Sequence, residues 1–282
     1  MSYISFHNVY FAYEGSVDDT VRAVNGVSLD IQQGKVAAIL GRNGSGKSTM
    51  AKLMNGLLLP AKGVVTVDGM STANEEDIWN IRSRIGMIFQ NPDNQIVGTT
   101  VEEDVAFGPE NLGVPYDELH RRVDEALAQV GMTEYAKSAP NNLSGGQKQR
   151  VSIAGILAMH TNCIVMDEST AMLDPAGRRD ILDLVMSLNK EQGITVIMIT
   201  HFMDEAAMAD HVVVMGDGRI LDSGTPREIF SHRELVEAAG LELPPANNIL
   251  TELSKAFPDI DTTALTMEDA VAEIARVVKA TN

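Results

Sequence analysis

Residues 35–49 read KVAAILGRNGSGKST, and the fold turns on how they are read. Val36 to Leu40 form a short apolar run that leads straight into a glycine-rich loop. Apolar residues at helical spacing follow it: Met50, Leu53, Met54 and Leu57. This is the pattern of a buried strand, a tight loop and an opening helix. Gly41, Arg42, Asn43, Gly44, Ser45, Gly46, Lys47 and Ser48 fit the spacing G-x-x-x-x-G-K-[ST], with Thr49 next in line. Glycines there let backbone N–H groups converge on phosphate oxygens, and the helix N-terminus adds its dipole. Lys47 is placed to reach the β- and γ-phosphates, and the Ser48 hydroxyl to ligate Mg2+. A nucleoside triphosphate with Mg2+ is therefore the expected ligand; a merely tight glycine turn is the plain alternative.

Outward from this loop, strand-like stretches come before and after. YISFHNVYFAY and AVNGVSLDI alternate apolar and polar residues, with NG and QQG as turn signals. KGVVTVDGM, IGMIFQ, CIVMDE, ITVIMIT and HVVVMGDG read as further strands, with the helix RRDILDLVMSLNK between two of them. Strands alternating with helices predict an α/β fold with a parallel, doubly wound sheet. Residues 96–160 are mainly helical and read as an inserted subdomain; Val123, Leu127 and Val130 form one apolar stripe there. The chain divides into a main domain, 1–230, and a C-terminal extension, 231–282. In the extension, LELPPANN marks a break and NILTELSKAF an amphipathic segment. A final helix is capped by Thr266, with acidic residues in its first turn and the stripe Val271, Ile274 and Val278. That stripe needs a surface, either on the main domain or on another subunit, which makes the extension a possible dimerisation element.

The totals restrict function as well. In 282 residues, 44% are hydrophobic, 22% are charged and the net charge is −17, which disfavours a nucleic-acid backbone as main partner. Cys163 stands alone in the apolar run CIVM, so it is read as a buried structural residue. The N-terminal MSYISFHNVYFAYEG lacks the basic start and apolar run of a signal peptide. No apolar run approaches the roughly 20 residues that span a bilayer, so work at a membrane requires a partner.

The phosphate loop alone leaves several reaction classes open. CIVMDEST ends a strand in two carboxylates, Asp167 placed for the Mg2+ shell and Glu168 to polarise an attacking water. The guanine-specific pattern N-K-x-D does not occur, which argues against a GTPase. In IFQNPDNQ, Gln90 ends a strand where it can touch Mg2+ or the attacking water and sense the helical insert. In ITVIMITHFMDEA, His201 follows a strand and can hydrogen-bond a γ-phosphate. The remaining histidines, His7, His120, His160, His211 and His232, have no such setting. Residues 143–150, LSGGQKQR, look like a second phosphate-binding turn, yet one without a buried lysine partner for the phosphate. The phosphate loop surrounds one face of the triphosphate, and Ser144, Gly145, Gly146 and Gln147 can close the other only from a second subunit.

The ordered set of residues 41–49, Gln90, LSGGQ, Asp167 with Glu168, and His201 resembles the ATPase subunit of an ABC transporter over about residues 1–230. The resemblance implies a RecA-like mixed-sheet core, an inserted helical subdomain, ATP hydrolysis and function as a dimer. It places Leu173 and Asp174 in the loop that contacts the second ATPase, and Tyr13 where an aromatic ring stacks on adenine, with Phe11 as the neighbouring alternative. The stretch QNPDNQIVGTTVEEDVAFGPENLGVP and the acidic tail are similar to the energy-coupling factor branch, whose ATPases drive uptake of vitamins or of cobalt and nickel ions. That likeness implies a peripheral protein on the cytoplasmic face of the cell membrane. Its partners there would be a second ATPase (a copy or a paralogue), a transmembrane coupling protein and a substrate-binding membrane component. Residues 91–115 would form the groove for a helix of the membrane protein. One position departs from the family: Ser169 stands where proline or alanine usually follows the glutamate. A non-transport ABC ATPase acting as a soluble mechanochemical module is the rival reading, but neither a long coiled-coil insertion nor a second cassette is present. A nucleotide-binding module without turnover is disfavoured by the joint presence of Glu168 and His201. The transported substrate is not readable from these residues.

Overall fold

The computed structural model describes residues 2–13 and 22–281. The first strands are β1 (Ser2–Phe11) and β2 (Val24–Gln32), paired antiparallel, with Ile4, Phe6, Val27 and Ile31 turned inward at alternating positions. The apolar run is β3 (Val36–Leu40), buried at every position, and the glycine loop opens α1 (Lys47–Met54). Leu57 lies beyond the helix end and is half exposed, so only Met50, Leu53 and Met54 of the expected stripe are buried. Next come β4 (Lys62–Val67), β5 (Met70–Ser71), α2 (Ile78–Arg84) and β6 (Ile85–Ile88).

Three helices separate β6 from the next strand: α3 (Val101–Asn111), α4 (Tyr116–Gln129) and α5 (Gly145–Ala158). The stripe Val123, Leu127 and Val130 is buried among them. Beyond lie β7 (Cys163–Asp167), α6 (Pro175–Gln192), β8 (Thr195–Thr200), α7 (Met203–Ala207), β9 (His211–Gly216) and β10 (Arg219–Gly224). The chain ends in α8 (Pro226–Ser231), α9 (Arg233–Ala238), α10 (Pro245–Ser254) and α11 (Met267–Thr281).

The strands form two sheets rather than one. A four-stranded antiparallel sheet has the order β2-β1-β4-β5, and a six-stranded sheet the order β10-β9-β3-β8-β7-β6. In the larger sheet every pairing is parallel except that of β10 with β9 at the edge. Strands covered on both faces read as unbroken apolar runs, as β3, β7 and β8 do. Alternate residues of β3 enter two different cores. Ala37 and Ile39 pack with α1 and the antiparallel sheet, while Val36, Ala38 and Leu40 face the helices.

The C-terminal helices add a third small core, built from Ala246, Leu250, Ile260, Ala264, Ala270 and Val277. Thr266 accepts a hydrogen bond from the Asp269 N–H at 3.1 Å, as a cap should. The buried face of α11 differs from the expected stripe. Ala270 and Val277 are inside and Ile274 packs against them, whereas Val271 is 62% and Val278 46% exposed. Packing on α10 sets the rotation of the helix, and periodicity alone could not choose between two adjacent stripes one residue apart.

The helical region docks on the sheet through a close approach. A Cβ on Gly86 of β6 would stand 2.3 Å from Cγ2 of Ile156 on α5. Gly86→Val is expected to destabilise the fold by about 1–3 kcal/mol, seen as a lower unfolding temperature. Adding Ile156→Ala should recover part of that loss; an unchanged temperature for the single variant would refute the close-packing account.

Candidate functional site

The glycine loop is held by contacts that only its own residue types allow. Gly46, which caps α1, has φ 103°, and a Cβ there would lie 2.1 Å from the Ala23 carbonyl oxygen. No side chain caps α1, so its first N–H groups remain available to a ligand. Lys47 is buried and its ammonium folds back on the loop, donating to the carbonyls of Gly41 at 2.7 Å and Arg42 at 3.1 Å. Arg42 itself points away and pairs with Asp217 at 2.9 Å, while Ser45 is buried with no partner for its hydroxyl.

The acidic pair meets the loop from β7. Ser48 donates its hydroxyl to Asp167 at 2.7 Å. Burial pushes the Asp167 carboxyl above the usual carboxylate range, and the neighbouring Glu168 charge adds to the rise, against the Ser48 bond that lowers it. Glu168 has φ 49°, and its N–H donates to the Ile199 carbonyl of β8 at 2.9 Å. Its carboxylate lies between Lys47 Nζ at 3.5 Å and His201 Nδ1 at 3.8 Å. His201 stacks on Phe202, whose ring is covered in turn by the Arg178 guanidinium at 3.9 Å.

A cavity of about 400 Å³ opens over these groups, lined by Tyr13, Asn43, Lys47, Gln90, Asp167 and Glu168 among others. Tyr13 rather than Phe11 reaches it: its hydroxyl shares a hydrogen bond with Thr49 at 3.2 Å, and Phe11 meets its ring edge-on. Gln90 lies two residues past the end of β6. Among the described residues no group of three or more His, Cys, Asp and Glu could hold a metal. A Mg2+ ion here would rest on Ser48, Gln90, Asp167 and phosphate oxygens, and the Ser48 hydroxyl directed at a buried carboxylate suits that oxygen donor set.

LSGGQ faces elsewhere. Ser144 and Gln147 form a reciprocal cap on α5, Ser144 N–H to Gln147 Oε1 at 2.8 Å and Gln147 N–H to Ser144 Oγ at 3.3 Å. This turn lines a different cavity, of about 450 Å³, shared with Leu173 and Asp174. Asp174 caps α6 by accepting the Gly177 N–H at 2.7 Å. The two phosphate-type turns of one chain thus line separate cavities with no residue in common.

Three features had no signal in the sequence. Lys148, next to the LSGGQ turn, pairs with Asp93, just past Gln90, at 2.6 Å. Thr170 donates to the buried Glu205. An apolar groove of about 620 Å³ includes Val97 and Phe107 from the expected segment, but its other walls are Trp79 and Met87 on one side and Met159 on the other. Such partners are far apart in the chain, and only the fold brings them together.

A lysine-bearing phosphate loop on one cavity and a lysine-free Ser-Gly-Gly turn on another define the ABC class of P-loop ATPases. The family described as ABC transporter matches residues 24–171. The energy-coupling factor transporter ATP-binding protein EcfA1 of Clostridium novyi is 53% identical over 95% of this chain and 96% of its own. The protein of the same name from Symbiobacterium thermophilum is 52% identical over 98% and 97%. Among solved structures, cbiO1 from Clostridium perfringens, part of the ABC transporter complex cbiONQ, superposes with a TM-score of 0.76 at 37% identity, covering 89% of this chain and 99% of that one. A dimeric ATP-binding cassette bound to ADP and Pi gives 0.71 at 31% identity, covering 79% and 98%. The chain belongs to the ABC transporter ATPases and, within them, to the energy-coupling factor transporter ATP-binding proteins. It is an ATP-hydrolysing enzyme, and among the described residues no helix is long and apolar enough to cross a membrane.

Because the Asp167 pKa in the folded chain lies above its unfolded value, ionisation of this carboxyl opposes folding at neutral pH. That opposition fades as pH falls through the raised pKa and is gone below the unfolded one. Asp167→Asn is therefore expected to raise the unfolding temperature of the nucleotide-free protein at pH 7, with the gap to wild type narrowing toward pH 4. Calorimetry across that range checks it, and a destabilised variant at pH 7 would contradict it.

Proposed function

We propose that this chain is the ATP-hydrolysing subunit of an energy-coupling factor importer, powering uptake of a micronutrient, a vitamin or a cobalt or nickel ion. The reading rests above all on the Glu168 carboxylate, held between Lys47 and His201 beside the Ser48 to Asp167 bond. The α1 amides and Lys47 would bind the β- and γ-phosphates, and Tyr13 would stack on the adenine. Asn43, Gly44 and Thr49 line the same cavity. Ser48, Gln90 and Asp167 would hold Mg2+, which when bound neutralises charge on the β- and γ-phosphate oxygens. Glu168 would take the proton of the attacking water while His201 holds the γ-phosphate by a hydrogen bond. Catalysis of this kind is mostly positioning and charge stabilisation.

A second subunit, a copy or a paralogue, would supply Ser144, Gly145, Gly146 and Gln147 to close the site, with Asp174 in the contact between ATPases. The exposed Met267, Val271 and Val278 of α11 support a role for residues 231–282 in that pairing. The apolar groove beside Val97 suits a helix of a transmembrane coupling protein, since Trp79, Val97 and Phe107 expose apolar surface there. A separate membrane component would bind the substrate, and the chain would sit on the cytoplasmic face of the membrane. The likeness to cbiO1, part of a transporter complex, supports this assembly.

Two substitutions test the assignment. Glu168→Gln is expected to keep ATP binding and to lower kcat roughly a hundred- to ten-thousand-fold in the assembled complex; near-normal hydrolysis would remove Glu168 from its role. At Gly145 a new Cβ would meet only Leu173, at 3.4 Å, so Gly145→Asp should fold. In a dimer with one such copy, the mutant should still label with a photoreactive ATP analogue at its own phosphate loop, while hydrolysis fails at the opposite site. Loss of labelling in the mutant copy itself would overturn the assignment in trans.

A further inference from the structure

We propose that Glu205 is a positioning residue for ATP hydrolysis, fixing Glu168 against His201 by tying the loop after β7 to the end of β8. The inference rests on the roles given to Glu168 and His201 above. Glu205 lies on α7 and is 3% exposed. Its Oε1 accepts a hydrogen bond from the Thr170 hydroxyl at 2.5 Å. Thr170 is two residues past Glu168 and is itself buried. Glu205 itself stands on the helix that opens two residues past His201, and the hydroxyl of Thr200, the residue before His201, accepts the Phe202 N–H at 3.0 Å. One buried carboxylate thus holds both segments that present the reacting side chains.

The Glu168 backbone needs such support. A non-glycine residue at φ 49° persists only where its surroundings over-determine it. The Ile199 carbonyl holds its N–H, and its own carbonyl accepts the Ala171 N–H at 3.0 Å. Between these points Ser169 is buried with no partner for its hydroxyl, so it gives the loop no side-chain anchor. Thr170 supplies that anchor through Glu205. Burial raises the Glu205 pKa, opposed by the two threonine hydroxyls and by the nearby Arg178 charge. A group this unfavourable to bury is satisfied by partners from the loop it holds. Since a shift of about 1 Å in a reacting group can lower the rate a hundredfold, slackening this tie should appear in kcat.

The test measures ATPase kinetics of the assembled complex for Glu205→Gln, Thr170→Val, Thr170→Ser and the double variant Glu205→Gln/Thr170→Val, with melting curves for each. Glu205→Gln and Thr170→Val should each lower kcat about tenfold while leaving KM for ATP within about twofold. Thr170→Ser, which keeps the hydroxyl, should stay near wild type. The double variant should be no slower than the slower single, because Thr170→Val already removes the link that Glu205→Gln weakens by taking away its charge. Folded single variants with wild-type kcat, a raised KM at unchanged kcat, or multiplicative losses in the double would overturn the proposal. If Glu205→Gln does not fold, the Thr170 pair decides alone. Glu168→Gln run alongside separates the failures. An active Glu168→Gln sinks the site reading, whereas an inactive one beside a normal Glu205→Gln sinks only the positioning role.

Discussion

The parallel pairing of β3 with its neighbours is the constraint from which the site follows. β3 lies between β8 and β9, and β8 pairs in turn with β7, which pairs with β6. Parallel strands send all their C-terminal ends to one edge of the sheet, and ligands of open α/β sheets bind at that edge. The phosphate loop leaves β3 there, the Asp167 and Glu168 pair closes β7, His201 follows β8, and Gln90 lies just past β6. Glu168 and His201 come from adjacent strands, and the bond from the Glu168 N–H to the Ile199 carbonyl extends the β7 to β8 pairing one step past the sheet. No long-range coincidence is needed to bring these groups together. Once the apolar runs pair in this order, the groups proposed to react stand side by side.

Burying so many ionisable groups at one edge is tolerated because each is answered locally. Lys47 has two carbonyls and the Glu168 carboxylate within reach, and Asp167 has the Ser48 hydroxyl. Glu205, further in, has Thr170. A buried ion pair is weak evidence for stability, since desolvation can outweigh the attraction. Asp167, which has a hydroxyl rather than a cation as partner, shows the desolvation directly, since burial raises its pKa despite the Ser48 bond. A carboxyl buried at such a cost fits the metal-holding role proposed for it.

How much of this was legible in the sequence depended on the distance over which each feature is defined. The loop at 41–49, the acidic pair, His201 and the LSGGQ turn are local chemistry, in which residue types within a few positions of each other state the geometry. The helices between β6 and β7 were also legible, because stripes such as Val123, Leu127 and Val130 recur at helical spacing. What stayed hidden was set by packing. The alternation of β1 and the unbroken apolar run of β3 marked a difference in coverage, but not which strands each would pair with. Val271 and Val278 form as regular a stripe as Ala270 and Val277, and only the small core with α10 selects the second. Gly86 against Ile156, Lys148 with Asp93 and Glu205 with Thr170 join positions whose sequences carry no mark of each other.

The lysine missing from LSGGQ becomes intelligible through the cap on α5. Of the first N–H groups of that helix, Gln147 gives its own to Ser144, and Lys148 donates to the Ser144 carbonyl at 2.9 Å. That leaves the N–H groups of Gly145 and Gly146 without a partner in the helix, beside a cavity that shares no residue with the one over the phosphate loop. Two amides and the dipole of a fourteen-residue helix supply partial positive charge without a cation. A second lysine facing Lys47 across one γ-phosphate would bind the anion in reactant and product alike, and such uniform binding does not raise kcat. The lysine that does follow the turn, Lys148, is turned to Asp93 in the segment beside Gln90 rather than left for a phosphate.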